Sequence, residues 1–411
     1  MDAGFFLLSQ IEALSEELDI ARNSMELLDN KKLLHAMRAR FLNLFNIRQA
    51  ELDCLRNKSK NKILVYGELS DEWKGLEDCS NNCADLFREY LAYFEGAMLR
   101  SSPLDRNEIC QAADELLYYL SYWSDVKWDR FTIMAAEGES FAEMTEIIRV
   151  RFPEFNIWRL PLVAHEFGHY AMSRISCDKQ YPFRDMAPEA IVREEEDFNP
   201  EKQAERKKKS HLQEIFSDVF ATYVIGPAYA STLILLSLNP RDNLACIDGI
   251  THPSHNKRVY CILKMLKEMS RQHKEYSGII DYLKETWQMK LKSVGYSSLS
   301  KELENDCGKV VDSWNEVLTK ALSEVKYNGW MRTEDLMEEL NPKRESSPEL
   351  NRECTLPDVM NAAWRCRIKY AHQNGKGENS IMVKKINNLA LDLCRKVIEE
   401  QGSKYAPGWC K

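Results

Sequence analysis

The sequence predicts a mainly α fold with a small β-sheet, of the α+β class. Three observations lead there. Apolar residues recur at helical spacing through most of the chain. Two short β-rich runs, "RFTIMA" (130–135) and "IIRVRF" (147–152), read as strands. The balance of 44% apolar and 29% charged residues over 411 positions is that of a globular protein with a sizeable core.

The elements follow in chain order. Leu7, Ile11, Leu14, Leu18, Ala21, Met25 and Leu28 alternate by four and three, a short a/d seam that Lys32 and His35 interrupt. A helical hairpin with residues 33–47 is the plain arrangement; a helix-mediated protein partner, or a homo-oligomer through residues 7–28, is the other. "KILVYG" (62–67) reads as a strand or buried turn, and residues 71–122 return to helical periodicity. Residues 178–210, with "REEEDFNPEKQAERKKK" at their centre, read as a long polar surface loop. Residues 219–238 carry no charge over about the length of a membrane-spanning helix. Gly226-Pro227 breaks that run and Glu214 and Asp218 lead into it, which predicts a pair of buried helices and no membrane span. Residues 258–292 are helical, 339–357 form a Pro- and Ser-rich linker, and 358–400 are helical again. The expected organisation is a helical N-terminal region (1–125), a core (126–290) with the polar insertion 178–210, and a helical C-terminal region (291–411).

A net charge of −8 gives no basic footprint for nucleic acid, and "ERKKKSH" (205–211) reads as a solvated charge run. The first residues lack the basic start and long apolar run of a secretory signal. The 12 cysteines show no tight pattern; Cys79 and Cys83 have helical spacing, so reduced thiols in a cytoplasmic protein are expected.

Chemistry concentrates in three short stretches. In "LPLVAHEFGHYAM" (160–172), His165 and His169 stand four apart, which puts both imidazoles on one helical face. Two nitrogens of one zinc ion need that spacing. Glu166, offset by one residue, cannot ligate beside them but can take a proton from a zinc-bound water. Gly168 costs a helix about 1 kcal/mol against alanine, so it implies a close approach of backbone or ligand. In "HLQEIFSDVFATYV" (211–224), Glu214 and Asp218 sit one turn apart on a helix apolar nearly all round. Buried carboxylates need a partner. Glu214 as third metal ligand, with Asp218 accepting a free imidazole N–H, supplies one; pairing with Arg or Lys is the alternative. His211 is a rival ligand, but its basic neighbours place it near the surface. In "GITHPSHNKRVYC" (249–261), His252 and Arg258 are of the type that stabilises an oxyanion. A turn cap before Pro253, and an ion pair with Asp218, are the other uses open to them. His255 is expected to be exposed.

The order HExxH, then ExxxD on an apolar helix, then HPxxxxR, resembles that of gluzincin metallopeptidases, most of all the family of HtpX and the CAAX prenyl proteases. The matching residues are His165, Glu166, His169, Glu214, Asp218, His252, Pro253, Arg258 and Val259. The resemblance covers residues 145–260. It implies a zincin-like catalytic core, Zn2+ held by His165, His169 and Glu214, Glu166 as general base, and His252 and Arg258 lining the cleft. Many members of that family are membrane-embedded, and Ser254 stands where they carry a second proline. Residues 1–120 and 290–411 lie outside the resemblance. The expected function is that of a zinc-dependent endopeptidase acting on a protein or peptide substrate. The alternative is a helical interaction or scaffold protein with a structural or inactive zinc site, in which Glu166 has no task.

Overall fold

The computed structural model describes residues 3–24, 35–64, 68–100, 109–135, 140–142, 144–151, 156–177, 180–183, 200–271, 276–297, 300–350, 353–371 and 380–405. Among these, thirteen α-helices carry most of the chain. Three strands, β1 (Ile133–Ala135), β2 (Ser140–Ala142) and β3 (Ile147–Arg151), form one sheet in the order β1-β3-β2. The mainly α class with a small sheet is therefore the observed one, and the two runs read as strands supply β1 and β3. The chain divides into two compact units.

The first unit comprises Met1–Arg106, Asp129–Gly138 and Ala142–Val150. It holds α1 (Ala3–Ser24), α2 (His35–Leu64) and α3 (Ser70–Arg100). The α1 seam packs inside this unit: Leu7, Ile11, Leu14 and Leu18 are buried in one cluster with Phe41, Phe45, Leu52, Leu86 and Tyr93. This is the hairpin arrangement, and it leaves these four seam residues covered by their own chain. Met25 and Leu28 lie outside the described residues, as do 65–67 of "KILVYG". A Cβ on Gly96 would stand 2.4 Å from the Met134 carbonyl oxygen, so a glycine lets α3 lie directly on β1.

The second unit comprises Asn107–Trp128, Glu139–Phe141 and Arg151–Lys411. It contains α4 (Ile109–Ser124), α5 (Leu162–Ala171), α6 (Pro200–Ile225), α7 (Pro227–Ser231), α8 (His255–Ser270), α9 (Tyr276–Ser293), α10 (Lys301–Ala321), α11 (Trp330–Glu339), α12 (Leu356–Cys366) and α13 (Ser380–Tyr405). Of the stretch expected as core, residues 151–290 share one unit with the C-terminal helices and with α4, which the sequence grouped with the N-terminal helices, whereas 129–138 and 142–150 belong to the first unit. The stretch read as a linker, 339–357, runs from the end of α11 to the start of α12 in this unit. Helix α6 starts at Pro200, inside the stretch expected to be a loop; residues 184–199 of that stretch lie outside the described ones.

Helix α6 is the axis of this unit. Phe216, Val219, Phe220, Ala221, Tyr223, Val224 and Ile225 are all fully buried. Each such large side chain contributes about 1.5–3 kcal/mol by leaving water. The charge-free run breaks where expected. Gly226 takes φ 78°, open to glycine at little cost, and Pro227 starts α7 where its missing N–H has no helical partner to lose. A π-helical turn, Thr232–Ser237, ends the run. Among the described residues, no helix is long and apolar enough to cross a membrane.

Candidate metal centre

Helix α5 carries His165, Glu166 and His169, and it packs on α6, which carries Glu214 and Asp218. Gly168 makes that packing possible. A Cβ there would stand 3.0 Å from Ser217 Cα and 3.2 Å from its Cβ, so the close approach is to the backbone of α6. The contact falls beside the ligand turn of each helix and sets the two histidines against Glu214.

His165 Nε2 and His169 Nε2 lie 3.2 Å apart. Glu214 reaches both, with Oε2 3.5 Å from His165 Nε2 and Oε1 3.4 Å from His169 Nε2. The three side chains form a group able to hold a metal ion, with their donor atoms all within 4.8 Å of one another. Three donors from two helices converge on one point, two imidazole nitrogens and one carboxylate, which is the ligand chemistry of a zinc or similar transition-metal site.

Behind the donors lies a buried polar layer. His165 turns Nδ1 towards Asp218 Oδ1, 3.1 Å away. Arg258 on α8 clamps Asp218 from two nitrogens, Nε to Oδ2 at 2.7 Å and Nη2 to Oδ1 at 2.8 Å. Its Nη1 lies 3.5 Å from Glu214 Oε2. Tyr229 on α7 donates its hydroxyl to Asp218 Oδ1 and stands 3.0 Å from His165 Nδ1.

Charge balance in this layer follows from burial set against ion pairing. Burial works against an ionised Asp218, but Arg258 and then His165 outweigh it and hold the carboxyl down at about 2. Burial opposes ionisation of Glu214 as well; hydrogen bonds from His165 and His169 and the Arg258 charge carry it well below the usual carboxylate range. Burial would lower His165, yet the hydrogen bonds to Asp218 and Glu214 push it up to about 10. Burial, with the Asp218 charge next, keeps Tyr229 protonated far above the ordinary phenol range.

The structure brings His165, His169, Glu214, Asp218, His252 and Arg258 together, with one correction, at His255. Arg258 was read as an oxyanion donor with pairing to Asp218 as the alternative. The structure contains the pairing: Arg258 is 8% exposed, with its guanidinium bonded to Asp218 and 3.5 Å from Glu214. His255 was expected to be exposed and is buried at the first position of α8. His252 lies in the loop before α8, with its side chain 47% exposed and Nε2 3.3 Å from Glu214 Oε1. His211 bonds the Gly249 carbonyl at 3.0 Å and stands outside the donor group. The Glu166 side chain is partly buried and has no hydrogen bond or ion pair with any described residue. Tyr229 is the site residue that sequence reasoning missed.

The chain matches no known protein family, no curated protein and no solved structure.

Proposed function

We propose that this chain is a zinc-dependent endopeptidase of the gluzincin type. The observation that carries the reading is the convergence of His165, His169 and Glu214 with a carboxylate, Glu166, that has no partner among the described residues. A structural zinc takes four closed protein ligands, whereas a catalytic one keeps a position for water; here three donors converge. A zinc ion bound there supplies Lewis acidity, which acidifies water and polarises a carbonyl. Glu166, one residue on from His165, is the base that takes the proton of the attacking water and returns it to the leaving amine. His252, half exposed beside Glu214, donates to the oxyanion that develops on the scissile carbonyl. Arg258 and Asp218 act behind the donors: the guanidinium pairs with Asp218 and keeps it ionised, and Asp218 holds the His165 Nδ1 proton so that Nε2 is left for the metal.

The test is cleavage of an unstructured protein such as reduced, alkylated casein by the purified chain. Activity that is lost on chelation, restored by zinc and abolished in Glu166→Gln is the expected result. Equal cleavage by Glu166→Gln, or none by the zinc-loaded native chain against a broad peptide library, contradicts the reading.

A further inference from the structure

We propose that Tyr229 is a positioning residue for the metal centre, and that Asn361, 132 positions further along the chain, sets it in place. The proposal rests on the metal reading above and extends it to residues outside every motif in the sequence.

The Tyr229 hydroxyl has one proton, and it goes to Asp218 Oδ1. Its oxygen is then free to accept, and it lies 3.0 Å from His165 Nδ1. Asp218 Oδ1 stands on the same nitrogen at 3.1 Å. The Nδ1 proton is thus held between two acceptors, which fixes the tautomer and leaves Nε2 as the ligating atom. The rings of Tyr229 and His165 lie within 10° of parallel with centroids 6.1 Å apart.

Tyr229 reaches this place because the chain breaks three residues earlier. A break inside a core leaves backbone groups without helical partners, and here one side chain satisfies both sides. Asn361 Nδ2 donates to the Ile225 carbonyl at 2.7 Å, and Asn361 Oδ1 accepts from the Ala228 N–H at 2.8 Å. A further bond from Nδ2 to the Pro357 carbonyl, 2.8 Å, ties the amide to its own helix, α12. Asn361 is 1% exposed. It is the splint of the break, and the residue it fixes directly precedes Tyr229.

The experiment is zinc affinity of the full chain by chelator competition, with thermal unfolding of the metal-free protein alongside. Four proteins are compared: native, Tyr229→Phe, Asn361→Ala and the double variant. Tyr229→Phe removes one oxygen and is expected to weaken zinc binding about 10-fold with little change in metal-free unfolding. Asn361→Ala is expected to lower the unfolding temperature and to weaken zinc binding. Its effect on zinc disappears in the Tyr229→Phe background, because it acts through that hydroxyl. Should Asn361→Ala fail to fold, Asn361→Ser closes the same cycle. Native-like zinc affinity in Tyr229→Phe, or an Asn361 effect that adds in full to it, overturns the proposal while leaving the metal reading intact. A native chain with no zinc affinity overturns that reading, and this proposal with it.

Discussion

The rest of the site leans on the Asp218–Arg258 pair, because both groups are buried and each has the other as its main counter-charge. Removing one partner of such a pair leaves an uncompensated charge and costs about 3–5 kcal/mol. Arg258→Met should therefore lower unfolding free energy by that order in urea titration, and a change under about 1 kcal/mol would show that the pair matters little. A second residue carries a pH signature away from the metal. Burial first, and neighbouring Asp114 second, push Glu115 up to about 7 from an ordinary 4.5. Below 4.5 both folded and unfolded chains hold that proton; above it the unfolded chain loses the proton first. Stability contributed by the protonated group is thus lost as pH rises from 4.5 through about 7. Glu115→Gln should flatten the decline over that window, and an unchanged pH profile of unfolding would contradict the assignment. His165, His169, Glu214 and Asp218 were legible in sequence because helical spacing fixes which side chains share a face. Tyr229 was not, because it sits in an apolar run past a chain break, where no spacing connects it to α5. His255 was read as exposed, but the start of α8 is covered, with His255 and Asn256 both buried.

Two glycines define how the elements meet. Gly168 allows α5 to rest on α6 at Ser217, and the spacing of His165 and His169 from Glu214 depends on that approach. Gly168→Ala should force the helices apart by a few tenths of an ångström and weaken zinc binding, despite alanine's better helix propensity of about 1 kcal/mol. Zinc affinity equal to native would show that the approach is not limiting. At Gly226 a Cβ would stand 2.4 Å from Tyr327 Cδ1, and the positive φ adds strain. Gly226→Ala should cost about 2–4 kcal/mol in unfolding free energy, the range of strain plus overpacking. The sequence showed the break from the Gly-Pro pair. It did not show that α6 runs back to Pro200, because the charges of residues 201–209 fit a solvated helix as well as a loop.

For the molecule as a whole, the fold class was readable from periodicity, while its division was not. Residues 339–357 have a linker's composition, yet α11 and α12 on either side pack on each other in one unit. Composition reports exposure of a segment and says nothing about which core its neighbours join. On the proposed reading two helices of that unit supply the zinc donors, so zinc at 100 times its Kd should stabilise the chain by about 2.7 kcal/mol. Calorimetry with and without zinc reads this directly as a rise in unfolding temperature. The measurement that bears most closely on the central claim is the metal content of the purified chain by elemental mass spectrometry. We expect about one zinc per chain, from three donors converging on one site, retained in Glu166→Gln and lost in the His165→Ala, His169→Ala double variant. A native chain that holds no zinc, or a double variant that keeps it, would contradict the claim.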